Sequence, residues 1–200
     1  MVYIVGIGPG NRKYILPEAM EIIQSCDIVV GFSRAIDSIG DVNTGKIKVQ
    51  KLSEIIDLIN REKSRDIAIV ASGDPGFYGI LDYIKRNYGD SLKVIPGISS
   101  FQYMMSSIGL SWQGAYLGSV HGREEDFINI VKNNKRSIFL TDNKNSPEVL
   151  ADKLYRENIS CCIWVGENLS YGDERIRKGT PEEMRNMEFS GLSVFVVEEL

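Results

Sequence analysis

The sequence predicts an α/β fold whose first sheet is mainly parallel and whose second is mixed. Two observations carry this expectation. Short runs rich in Val and Ile, apolar on successive residues, alternate with amphipathic stretches along the chain. That is the pattern of parallel strands covered on both faces by helices. The strongest glycine clusters of the first half also fall directly after predicted strands, where open α/β sheets turn the chain and hold ligands.

Taken in order, residues 2–5 form the first strand and run into glycines. Residues 17–25 read as a helix with Pro17 at its first position and Ala19, Ile22, Ile23 and Cys26 on one face. A buried strand at 28–30 follows, then a helix capped by Ser53 with Ile55, Leu58 and Ile59 facing inward. Strands at 67–71 and 92–95 alternate with helices at 80–88 and 99–108. The second half offers strands at 116–120, 137–140, 160–165 and 193–198, with helices near 124–132 and 147–157. Thr180-Pro181-Glu182-Glu183 is a capping box, in which Thr caps and Glu183 reaches back to the cap N–H. Segments 163–165 and 174–177 have no helix between them, which makes one element antiparallel. A boundary is expected in the glycine-bearing turn at 109–115, dividing the chain into 1–113 and 114–200.

Composition narrows the function classes. Of 200 residues, 43% are hydrophobic and 25% charged, an ordinary globular mix that a disordered chain does not have. No apolar run approaches the ~20 residues of a membrane span, and residues 1–10 lack the basic lead of a signal peptide. A cytoplasmic protein without a membrane partner is expected. The formal net charge of −4 argues against a nucleic-acid partner, while local Arg and Lys residues still permit an anionic small molecule. Three cysteines without a Cys-x-x-Cys pair, and the single His121, cannot build a clustered zinc site or a disulfide framework. No protein-bound metal is expected, and the cysteines read as small core residues of a reducing compartment.

Three glycine clusters are candidates for one shared site: Gly6-Ile7-Gly8-Pro9-Gly10, Ser72-Gly73-Asp74-Pro75-Gly76-Phe77-Tyr78-Gly79, and Pro96-Gly97-Ile98-Ser99-Ser100. The first is a poor dinucleotide fingerprint. Its third position is Asn11, Pro9 removes a backbone donor, and Gly31-Phe32-Ser33 after the next strand lacks the ribose-binding acid. No P-loop occurs.

In this order, Val5-Gly-Ile-Gly-Pro-Gly10, Ser72-Gly-Asp-Pro75 and Pro96-Gly-Ile-Ser-Ser100 resemble the tetrapyrrole methylase family. The resemblance spans the chain. It implies two αβα domains, S-adenosylmethionine as methyl donor held in the cleft between them, and a homodimer. Ser119-Val-His-Gly-Arg123, Gly166-Glu-Asn-Leu-Ser170 and Asp173-Glu-Arg-Ile176 look like the branch that methylates carbon 5 of the corrin precursor in cobalamin biosynthesis. Leu16-Pro17 departs from the Thr-Pro usual in that branch, which weakens a helix cap and leaves the chemistry alone. Fused relatives continue into a C15-methylating decarboxylase, so a separate enzyme is expected to supply that step. Cobalt, where present, would belong to the substrate.

By the same resemblance, Gly8, Pro9, Gly73, Asp74, Phe77, Ser99 and Ser100 contact S-adenosylmethionine, joined from the second half by Leu140, Thr141, Val165 and Gly166. Asp74 either accepts from the cofactor amino group or bonds its own loop. Arg123 and Arg175 are the expected anchors for the acetate and propionate carboxylates of a corrinoid, against the alternative of solvated surface charges. His121 is a substrate contact or a structural histidine. Glu167 and Asn168 orient the macrocycle or close a turn, and no general base is singled out. Cys162 and Trp164 lie on the pleat face opposite Val165 and read as packing. A sister methylase with another substrate and a non-catalytic tetrapyrrole- or nucleotide-binding module are the competing readings.

Overall fold

The computed structural model describes residues 1–123 and 125–200. It divides into two compact units, Met1–Ser99 and Ser100–Leu200.

The first unit is a parallel five-stranded sheet built from β1 (Val2–Gly6), β2 (Ile28–Phe32), β3 (Gly45–Val49), β4 (Ile67–Ala71) and β5 (Lys93–Ile95), in the order β3-β2-β4-β1-β5. Every pairing is parallel, so the strands need helical crossovers. These are α1 (Pro17–Ser25), α2 (Ser33–Ser38), α3 (Leu52–Arg61) and α4 (Leu81–Tyr88). Alternation along the strands fills both faces. Val5, Val29 and Val70 pack with Ala19 and Ile23 of α1 and Ile36 of α2. Ile4, Val30 and Ile69 pack with Ile55, Leu58 and Ile59 of α3 and Ile84 of α4. Each fully buried Ile or Val contributes about 1.5–3 kcal/mol of transfer free energy, which outweighs the weak local propensity of these short helices.

The second unit is mixed. After α5 (Ser100–Ser107) come β6 (Tyr116–Ser119), α6 (Phe127–Asn133), β7 (Arg136–Leu140), α7 (Pro147–Arg156), β8 (Cys161–Glu167), β9 (Arg175–Gly179), α8 (Pro181–Met184) and β10 (Ser193–Glu199). The sheet order is β6-β7-β10-β8-β9. Only β6 and β7 pair parallel; β10 runs antiparallel to β7 and β8, and β9 antiparallel to β8. Phe139, Ile163, Val165 and Phe195 form one core with Phe127 of α6, Leu150 and Leu154 of α7 and Met184 of α8. α5 packs against β7 and β10. The division between the units therefore falls ahead of the turn at 109–115, and α5 goes with the sheet that follows it.

Several local expectations need correction. Ser53 does not cap α3: Lys51 holds the cap position without a side-chain bond, and Glu54 reaches back to accept the Gln50 N–H at 3.3 Å. The expected helix near 124–132 begins at a residue outside the described ones. The observed α6 starts at Phe127, with Asp126 as cap accepting the Asn129 N–H at 3.4 Å. β8 continues to Glu167, and β9 runs one residue later at its start and on to Gly179. The Thr180 capping box is present as read.

Candidate active site

In the first unit, β4, β1 and β5 are neighbours, and the glycine clusters leave their three carboxyl ends side by side. The loops are interlocked through backbone. The Gly73 N–H donates to the Gly8 carbonyl at 2.7 Å, and the Gly8 N–H returns to Gly73 at 3.3 Å. A Cβ at Gly6 would lie 2.6 Å from the Gly97 nitrogen and 2.8 Å from the Gly73 carbonyl oxygen, so only glycine allows the three loops to meet. Asp74 ties them further, since its Oδ1 accepts the Gly76 N–H at 2.8 Å and its Oδ2 the Gly97 N–H at 3.0 Å. Gly8 and Pro9 are buried within this knot, Ser99 is 3% exposed, and Gly73, Asp74, Phe77 and Ser100 are half-buried. The Phe77 ring stands edge-on to Tyr78, centroids 5.0 Å apart, and Tyr78 takes the left-handed conformation (φ 51°) that is costly for a bulky residue.

In the second unit the antiparallel arrangement gathers the carboxyl ends of β6, β7 and β8 with the amino ends of β9 and β10 at one end of the sheet. His121 and Arg123 are exposed there. The Gly122 N–H donates to Asp142 Oδ2 at 2.7 Å, and Asp142 Oδ1 accepts from Lys144 and Asn145. These backbone donors, that of Asn145 foremost, hold the Asp142 carboxyl below its ordinary pKa, with His121 adding a smaller pull in the same direction. The Thr141 hydroxyl bonds Gly191 at 2.6 Å and accepts the Ser193 N–H at 3.0 Å, so it is committed to the approach to β10. Glu167 is 1% exposed. Its Oε1 accepts from Arg175 Nη2 and from the Ser190 N–H, each at 2.7 Å, and its Oε2 from Arg175 Nε at 3.0 Å. Asn168 (φ 46°) donates its side-chain amide to Asp173 at 2.8 Å.

The two families of motifs thus form one cluster in each unit. Leu140 is half-buried at the end of β7, whereas the Val165 side chain is fully buried in the core. Gly166 is confined by Met104 and Leu169. Trp164 is packed, 9% exposed, with Lys178 Nζ 5.0 Å from its ring centroid. Asp142, Ser190 and Gly191 were not singled out by the sequence reading. Asp142-Asn-Lys-Asn after a strand and Ser190-Gly191 before one are turn signals that mark such connections.

Residues 1–185 match the family model for tetrapyrrole (corrin/porphyrin) methylases. The chain belongs to the tetrapyrrole methylase family. It is 36% identical to the probable cobalt-precorrin-7 C(5)-methyltransferase of Methanocaldococcus jannaschii, over 99% of this chain and 98% of that protein. The crystal structure of the precorrin-6Y methylase (cbiE) from Archaeoglobus fulgidus has the same fold, with a TM-score of 0.78 and 22% identity over 100% of this chain and 97% of the other. Uroporphyrin-III C-methyl transferase from Thermus thermophilus, complexed with S-adenyl homocysteine, shares it at a TM-score of 0.79 and 20% identity, covering 99% and 97% of the two chains.

After β4, Ser72, Gly73 and Gly76 place backbone without bulk, and a carboxylate with about four lone-pair sites keeps acceptor capacity at Asp74 after its two loop bonds.

Proposed function

We propose that this protein is an S-adenosylmethionine-dependent methyltransferase acting on carbon 5 of cobalt-precorrin-7, in cobalamin biosynthesis. The observation that carries the reading is the end-to-end match, at 36% identity, to a relative of that name and nearly the same length. S-adenosylmethionine supplies an activated methyl group on a sulfonium. The chain's contribution is alignment of that methyl with a macrocycle carbon, the largest effect available to an in-line transfer. The interlocked loops around Gly8, Gly73, Asp74 and Gly97 serve it by holding backbone rigidly. Pro9, Phe77, Ser99, Ser100, Leu140, Thr141, Val165 and Gly166 are proposed to complete the cofactor contacts, Val165 through backbone alone since its side chain is in the core.

Arg123 and Arg175 are proposed to receive rim carboxylates of the corrinoid, with His121 and Asn168 beside them. Cobalt belongs to the substrate in this proposal. A homodimer in the cytoplasm, with a separate enzyme for the C15 step, completes it. Three free cysteines fit a reducing compartment.

The test is incubation of the purified protein with S-adenosylmethionine and enzymatically prepared cobalt-precorrin-7. Gain of one methyl group, placed at carbon 5 by NMR, is expected. Methylation elsewhere, or none of this substrate while another precorrin is methylated, overturns the assignment.

A further inference from the structure

Glu167 and Arg175 face each other across the β8–β9 pair, yet their environments are opposite. The Glu167 side chain is 2% exposed and that of Arg175 51%. Glu167 accepts three hydrogen bonds, two from the guanidinium and one from the Ser190 N–H. A buried carboxylate so engaged has little left for a ligand, and its charge is already neutralised. The guanidinium is different. It has five N–H donors in a rigid plane, and Glu167 takes only the edge formed by Nε and Nη2. One N–H of Nη1 and the second of Nη2 form the other fork, and among the described residues no acceptor is bonded to it. Of the nearby acids, Asp173 accepts from Asn168 at 2.8 Å and Glu174 from the Ser170 N–H at 2.5 Å; Asp173 is exposed and acts on Arg175 only through its charge, a smaller effect than that of Glu167.

We infer that Glu167 is a positioning residue, which fixes Arg175 by one edge so that its outer fork forms a preorganised seat for a single carboxylate of the substrate. The inference deepens the functional reading above and rests on it for the identity of the carboxylate's owner. The physical case is entropic. A free arginine loses about 2 kcal/mol of rotamer freedom when it is immobilised, and a side chain already held by a buried partner loses less on binding. Glu167 also ties Arg175 to the segment that leads into β10 through Ser190, so the seat moves with the sheet end and not with a surface side chain. Coulomb attraction alone predicts the reverse effect of Glu167, because a neighbouring carboxylate weakens the pull of Arg175 on another anion.

The two accounts differ in sign, which makes the test sharp. Steady-state methyl transfer to cobalt-precorrin-7 and direct titration with uroporphyrin, a tetrapyrrole carrying eight carboxylates, are measured for the wild type, Glu167→Gln, Arg175→Lys and the double variant. Loss of a bond to a charged group predicts that each single variant raises the corrinoid KM and the uroporphyrin Kd about tenfold or more. kcat and S-adenosylmethionine affinity hold, and the double variant is no worse than the weaker-binding single. Arg175→Lys keeps the cation and its pairing with Glu167 but lacks the second fork, so it tests the seat even where Glu167→Gln fails to fold. Unchanged or tighter binding in a folded Glu167→Gln overturns the positioning role, and an unaffected Arg175→Lys overturns the seat. Wild-type protein that binds uroporphyrin and loses it in both variants, without methylating cobalt-precorrin-7, refutes the functional reading and leaves the seat standing. Failure of the wild type to bind either macrocycle refutes the seat.

Discussion

Asp74 Oδ2 accepts the Gly97 N–H at 3.0 Å, so one carboxylate joins the loop after β4 to the loop after β5, while Oδ1 closes its own turn on Gly76 at 2.8 Å. The residue thus acts as a turn former and as a crosslink between two motifs that are more than twenty residues apart in sequence.

Asp74→Asn presents an amide NH₂ to one of these two N–H groups. One bond to a charged acceptor is lost, and the expected cost is about 1.5–3 kcal/mol of stability, read as a lower urea midpoint with an unchanged slope. Affinity for S-adenosylmethionine falls with it. A variant with wild-type stability and reduced cofactor affinity would show instead that Asp74 acts by direct contact alone.

Gly8 adopts φ +77°, and a Cβ there would lie 2.8 Å from the Tyr14 carbonyl oxygen. Gly8→Val therefore strains the loop before any ligand arrives. It is expected to cost about 1–3 kcal/mol from the left-handed conformation alone, with further loss from the collision. A lowered melting temperature together with lost cofactor binding is the predicted pair of results; Gly8→Ala should show a smaller version of both.

Burial pushes the Cys26 and Cys161 thiols up to about 11 from an ordinary value of 9.0, with Asp66 adding to the effect at Cys26 and Cys162 at Cys161. Below pH 9 both the folded and unfolded chains keep these protons, and their contribution to stability is intact. Between about pH 9 and 11 the unfolded chain releases them first, so stability falls as pH rises through that window. Denaturation midpoints measured across it should drop, and Cys26→Ala with Cys161→Ala should flatten the slope. At neutral pH the half-buried Cys162 should be alkylated well before the other two.

The sheet and most helices were legible because burial writes a strong pattern. Residues 67–71 and 17–25 are read without error from Ile-Ala-Ile-Val-Ala and from Pro17 followed by the Ala19 and Ile23 face. β3 was missed because Gly45-Lys-Ile-Lys-Val is an edge strand whose lysines stay in solvent, and only Val49 is buried. α2 was missed because six residues without a side-chain cap carry no periodicity to read. At the site, glycine and turn residues revealed the loops but not their partners. Nothing local shows that Glu167 would be buried against Ser190, since that contact joins residues 23 positions apart.

Arg123 is the sharpest separation between cofactor and substrate roles. It is exposed in the turn after β6, next to Gly122, whose N–H is held by Asp142, and it is proposed to serve the substrate, whereas the glycine knot is proposed to serve S-adenosylmethionine. A guanidinium pairs with a carboxylate through two parallel bonds, and a lysine at the same place offers only a point charge. Arg123→Ala is expected to weaken corrinoid binding about tenfold or more, and Arg123→Lys to recover part of the loss. Cofactor affinity should stay at the wild-type value in both. Because the side chain is exposed, screening weakens its pairing, and the gap between wild type and Arg123→Ala should narrow as salt is raised. Parallel titrations of cofactor and corrinoid decide the matter: a variant that loses S-adenosylmethionine and keeps the macrocycle reverses the assignment.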